Sequence, residues 1–137
     1  MNSEQFEQLL EVSLFAIDWK RVSKMTTDRA VNLIQNNLDL VDWRSLTKNE
    51  DNRIFDLLEK NLDEVHWDIL AKNDNSRTYD LINANLDKLY IDEHNIECID
   101  IWRLDFTKLD PHHISWKSLS MSHVDLLKRQ FDFKLER

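Results

Sequence analysis

The chain has 137 residues, 42% hydrophobic and 32% charged, with one proline, one cysteine and no glycine. About ten glycines would be usual at this length; their absence excludes P-loops, dinucleotide-binding turns, nucleophile elbows and glycine-rich kinase loops, which need positive φ or a close backbone approach to phosphate. Eighteen basic against 26 acidic residues give a net charge of −8, which speaks against nucleic acid or an anionic membrane surface as partner, and the lone Cys98 excludes an internal disulfide.

In chain order, the N-terminal stretch MNSEQFEQLLEV lacks the basic n-region of a signal peptide. Phe6, Leu9, Leu10 and Leu14 instead follow helical spacing and predict an amphipathic capping helix. A repeat follows, since Trp19, Trp43 and Trp67 lie 24 residues apart. LIQNNLDLVDWRSLTKN, beginning at Leu33, and LLEKNLDEVHWDILAKN, beginning at Leu57, share nine of 17 positions. A third copy starts at Leu81 with LINANLDKLYI, where Ile91 takes the place of tryptophan, and a late one resumes at Ile114 with ISWKSLSMS.

Each copy reads as two helices. The longer carries an i, i+1, i+3, i+4 stripe: Ala30, Val31, Leu33, Ile34; then Ile54, Phe55, Leu57, Leu58; then Thr78, Tyr79, Leu81, Ile82. Asp28, Asp51 or Asn52, and Ser76 are the expected N-caps. Asn37, Asn61 and Asn85 stand at the helix ends, where asparagine is the best substitute for glycine in a left-handed C′ position. The shorter helix starts behind Asp18, Asp42, His66 or Ser115, with Ile17/Val22, Val41/Leu46, Val65/Leu70 and Ile114/Leu119 spaced as hydrophobic staples, and closes at Asn49 or Asn73. Such short helices are marginal alone and must stack on neighbouring copies.

The predicted fold is therefore a single all-α domain, a short solenoid of four to five helical hairpins. Its repeats fall at about 15–27, 28–51, 52–75, 76–100 (degenerate) and 101–122, with a C-terminal cap over 122–137. Between Asp92 and His113 the register breaks around an off-phase Trp102 and the single Pro111. Ile99, Ile101, Trp102, Leu104 and Phe106 there suit a short strand as well as a distorted helix.

LLEKNLDEVHWDILAKN resembles the short tandem repeats of giant DNA viruses of the mimivirus kind. The shared positions are Leu57, Leu58, Asn61, Asp63, Val65, Trp67, Leu70 and Asn73, with Leu33, Asn37, Asp39, Val41, Trp43, Leu46 and Asn49 in the copy before. The likeness spans roughly residues 15–91 and returns near 114–128, but the proline that usually follows the last asparagine is replaced by Glu50 and Asp74. It implies an intracellular viral protein, either an interaction scaffold or a virion component, without catalytic residues.

No serine, histidine and carboxylate constellation has a recognisable context, and no enzymatic activity is expected. The zinc alternative rests on His94 and Cys98, four residues apart, followed by His112 and His113. Surface histidines and a small buried cysteine are the simpler expectation, so no metal or other cofactor is assigned. Asp39, Asp63 and Asp87 recur in phase and read as turn formers. The in-phase tryptophans read as core. Trp102, Phe106, His112 and His113 are the candidate contacts to a protein partner, to a second copy or to a capsid protein. No nucleic acid is expected, and no apolar stretch reaches the ~20 residues of a membrane span.

Overall fold

The computed structural model describes residues 2–5 and 16–135, with side chains to residue 132. The expected N-terminal capping helix, with Phe6, Leu9, Leu10 and Leu14, lies outside them. The described residues are mostly helical and contain no strand. Beyond residue 16 the α-helices are α1 (Trp19–Val22), α2 (Asp28–Gln35), α3 (Trp43–Lys48), α4 (Asn52–Lys60), α5 (Trp67–Leu70), α6 (Thr78–Ala84) and α7 (Met121–Leu135).

Side-chain oxygens begin most of the helices. Asp18, Asp42 and Asp51 accept the backbone N–H of Arg21, Ser45 and Arg53 at 3.2, 3.2 and 2.8 Å. Two expected caps are displaced: Thr27 rather than Asp28 caps α2, accepting from Ala30 at 3.2 Å, and α6 begins after Arg77 with no side-chain cap, so Ser76 has no such role. Most of the predicted stripe residues form the core, while Leu33 and Leu57 are half-buried. Val31, Ile34, Ile54, Phe55, Leu58, Tyr79, Leu81 and Ile82 are buried in one cluster, joined by Val41, Leu46, Val65 and Leu70 from the staple positions. Each such side chain contributes roughly 1.5–3 kcal/mol by leaving water, which outweighs the weak propensity of helices this short.

The helix ends differ from expectation. No described residue has positive φ, so Asn37, Asn61 and Asn85 are not left-handed caps. At Asn61 and Asn85 φ/ψ are −133/54° and −138/41°. The side-chain amide does the capping instead: Nδ2 of Asn37, Asn61 and Asn85 donates to the carbonyl of Leu33, Leu57 and Leu81, four residues back, at 2.8, 2.8 and 2.9 Å. A carbonyl left free by the end of the helix is thereby satisfied without any backbone strain.

Polar side chains also join each unit to the one before. Oγ of Ser23 donates to Trp19 O and accepts from Asp42 N; Oγ1 of Thr47 repeats this with Trp43 O and His66 N. Nδ2 of Asn49 donates to Ser23 O and Met25 O at 3.1 and 3.0 Å, and Nδ2 of Asn73 to Thr47 O and Asn49 O at 2.9 and 3.0 Å. Arg53 reaches back to Asp28 and Thr26 O, and Arg77 to Asn52 O. Asn49 and Asn73 were expected only to close a helix; both are buried, and their amides are the bonds between units.

Beyond Ala84 the long-and-short helix pairing stops. The segment has 3₁₀ turns at Leu86–Lys88, Ile96–Cys98, Ile101–Arg103, Pro111–His113 and Trp116–Ser118, so the helical hairpins expected over 76–100 and 101–122 are not completed. These turns start at positions separated by multiples of five, and the cause is a five-residue pattern: NIECI, DIWRL, DFTKL, DPHHI and SWKSL each open on Asn, Asp or Ser and close on Ile or Leu. The opening residue's carbonyl accepts from the residue three ahead, as Asp100 does from Arg103 and Ser115 from Ser118 at 3.0 Å. The closing residues Ile99, Leu104, Leu109, Ile114 and Leu119 are all buried. A single parallel bridge, Ile91 with Ile114, ties this segment to itself. The C-terminal helix α7 covers its end with Val124 and Leu127, close to the predicted boundary.

Candidate interaction surface

Trp102 sits in the turn Ile101–Arg103 and is 72% exposed, whereas Trp67, in phase with the repeat, is 8% exposed. Buried Ile101 and Leu104 root the turn on either side. Two residues of α6 hold its backbone. The Asn83 amide donates to Arg103 O and accepts from Asp105 N, each at 2.9 Å, and the Tyr79 hydroxyl accepts from Asp100 N at 2.5 Å. Burial pushes the Tyr79 phenol above its ordinary pKa, so it stays protonated and donates in turn to Ala71 O at 3.3 Å. The Arg103 guanidinium lies 4.5 Å over the Tyr79 ring. Trp102 is therefore displayed on a turn whose neighbours are fixed on α6.

The other candidates separate. Phe106 is 5% exposed and cannot meet a partner: its ring stands edge-on to Phe131 of α7, centroids 5.0 Å apart at 88°, so its role is to seat the C-terminal helix. His112 is exposed and turned onto its own loop, where the Asp110 carboxylate accepts its backbone N–H at 2.9 Å and stands 3.0 Å from Nδ1. Those bonds hold the Asp110 carboxyl below its usual pKa. His113 is half-buried with Nδ1 3.3 Å from Leu86 O, a link to the preceding turn. His94 is exposed beside Glu93 and Cys98 is half-buried. Among the described residues no three histidine, cysteine or carboxylate side chains come together as a metal site, so His94, Cys98, His112 and His113 are not gathered.

Two features escaped the sequence reading. One is a groove of about 370 Å³ lined by His66, Trp67, Asp68, Tyr90, Asp92 and Asn95. It lies where the hydroxyl series ends: Ser23 and Thr47 accept Asp42 N and His66 N, but Ala71, the next in phase, has no hydroxyl for Tyr90 N. The second is a row of lysines, Lys24, Lys48 and Lys72, of which Lys48 and Lys72 immediately precede Asn49 and Asn73 and Lys24 precedes Met25. Their 24-residue spacing is the signal in the sequence; residues so far apart form no basic run.

No family model, no curated protein and no solved structure matches the chain. Among the described residues, no helix is long and apolar enough to cross a membrane.

Proposed function

We propose that the chain is a non-enzymatic protein-binding scaffold, a short stack of helical units that is fixed inside and presents side chains outside. The observation that supports this reading is Trp102, a largely exposed tryptophan on a pinned turn. Burial of so large a side chain in a complex would release at least ~2 kcal/mol that the free chain forgoes. Tryptophan is enriched among the residues that dominate binding, and a turn ordered in advance lowers the cost of docking. Trp102 is the primary contact and His112 a peripheral one. The resemblance to giant-virus repeats supports a role in an infected cell or a virion.

Affinity purification from the native source with wild-type chain and Trp102→Ser tests this. The expected result is a defined protein held by the wild type and lost by the variant, with unchanged thermal unfolding. Equal retention by both, or retention of nothing, would overturn the reading. Light scattering adds the self-assembly outcome: an oligomer that Trp102→Ser dissolves identifies the partner as a second copy.

A further inference from the structure

The outward positions of the three short helices carry Lys20 and Lys24 on and just after α1, Arg44 and Lys48 on α3, and Asp68 and Lys72 on and just after α5. Each pair is four residues apart; Arg44 and Lys48 share one face of α3, while Lys24 and Lys72 stand in the turns just after α1 and α5. All six side chains are exposed, five are cations, and among the described residues no ion pair engages any of the five. This contrasts with the arginines that repeat in the chain, since Arg53 and Arg77 are both held by carboxylates.

Three nearby carboxylates are occupied by backbone, whereas Asp68 and Asp74 stand exposed beside Lys72. Asp18 and Asp42 are turned into helix starts, and Glu50 accepts from Asp74 N at 3.3 Å. The asparagine bonds align the lysines: Asn49 grips the carbonyls of Ser23 and Met25, on either side of Lys24, and Asn73 those of Thr47 and Asn49, on either side of Lys48. Lys24, Lys48 and Lys72 therefore stand one unit apart in a line. On the turn row the sign is opposite, with Asp39, Asp63, Glu64 and Asp87 exposed.

We propose that this lysine row docks an acidic segment of a protein partner. The inference rests on the binding-protein reading but not on Trp102, which is held against α6, one of the longer helices. Charge complementarity selects the ligand. The chain as a whole is at −8, which disfavours a long polyanion such as nucleic acid, whose phosphates would extend beyond the local cations into the repelling field. A short acidic peptide feels only charges within a screening length of about 8–10 Å and stays on the row.

Fluorescence anisotropy with a labelled octaglutamate peptide at about 0.1 M salt, where that screening length holds, tests the proposal. Wild type is expected to bind saturably. The triple variant Lys24→Glu/Lys48→Glu/Lys72→Glu is expected to bind about tenfold more weakly, the combined effect of several modest exposed charge pairs. The control Lys60→Glu/Lys88→Glu/Lys117→Glu, of equal net charge, and Trp102→Ser are expected to bind as wild type does. If the reversal triple fails to fold by circular dichroism, the Lys→Gln triple replaces it, with a weakening of about threefold. Absence of saturable binding, equal loss in both lysine triples, or loss with Trp102→Ser would overturn the proposal, the last leaving the Trp102 reading in place. Tighter binding of a labelled single-stranded oligothymidine, weakened by the row triple, would overturn it in favour of nucleic acid.

Discussion

At Asn73 one primary amide makes three bonds in the interior: two donated to Thr47 O and Asn49 O, and one accepted from Asn75 N at 2.9 Å. Removing it leaves buried carbonyls without donors, each costing ~1–3 kcal/mol. Asn73→Ala is therefore expected to lower stability by about 2–3 kcal/mol in urea unfolding, and Asn73→Asp by no less, because a carboxylate would face two carbonyl oxygens. Asn61 gives a sharper discrimination. With negative φ and an amide bond to Leu57 O, it gains nothing from glycine's freedom. Asn61→Gly and Asn61→Ala should both cost about 1 kcal/mol, and a glycine variant as stable as wild type would contradict the amide cap. The sequence shows that asparagine recurs at these ends; it does not show which of asparagine's two capping routes is used, because that depends on a backbone angle. Asp51 adds a pH dependence. Its hydrogen bond from Arg53, aided by the Arg53 backbone N–H, holds the carboxyl below its ordinary pKa despite the opposing effect of burial. A folded pKa below the unfolded one means that this stabilisation is complete above the unfolded value near 4 and is lost as pH falls through the folded value. Urea midpoints for Asp51→Asn should therefore fall less steeply than wild type below about pH 4.

Among the elements, the short helices show how units are joined and where the series ends. Thr47 is fully buried and links the end of α3 to the start of α5 through its hydroxyl. Thr47→Val keeps the shape and leaves His66 N without its acceptor, for an expected loss of about 1–2 kcal/mol in thermal or urea unfolding. Ala71→Ser should act in the opposite direction, supplying Tyr90 N with the acceptor that Asp42 N and His66 N already have; the expected gain is up to ~1 kcal/mol. A destabilised Ala71→Ser would show that the groove beside Tyr90 is not the missing member of this series. The long helices were legible because apolar spacing of 3.6 residues survives in eight or nine positions, as in α2 and α4. The five-residue segment was not. A single 3₁₀ turn is too short to carry a helical period, so NIECI and DIWRL offered only alternating apolar residues, which fit a strand equally well. The same ambiguity placed buried Phe106 beside exposed Trp102 as a candidate contact: in the five-residue pattern Phe106 falls on the inward position that Ile101 occupies, whereas Trp102 falls one residue further, outside.

Over the described residues, the repeated polar bonds run from one unit to its predecessor: Asn49 to Ser23 and Met25, Asn73 to Thr47 and Asn49, Arg77 to Asn52. In a stack of repeated units stability is close to a sum of unit and nearest-neighbour contributions, so the substitutions at Thr47 and Asn73 are expected to act chiefly at one junction. Repetition also sorts charge, since any residue type held in phase becomes a row. That is how a chain at −8 carries exposed Lys24, Lys48 and Lys72 in one phase of the repeat and exposed Asp39, Asp63 and Asp87 in another. The claim beneath every functional statement is that units 24 residues apart lie side by side. Spin labels at Lys24→Cys and Lys72→Cys in a Cys98→Ser background test it through their separation by pulsed electron resonance. Two unit spacings predict a narrow distribution near 20 Å. A broad distribution centred near about 40 Å, as a flexible connection of that length would give, would contradict it.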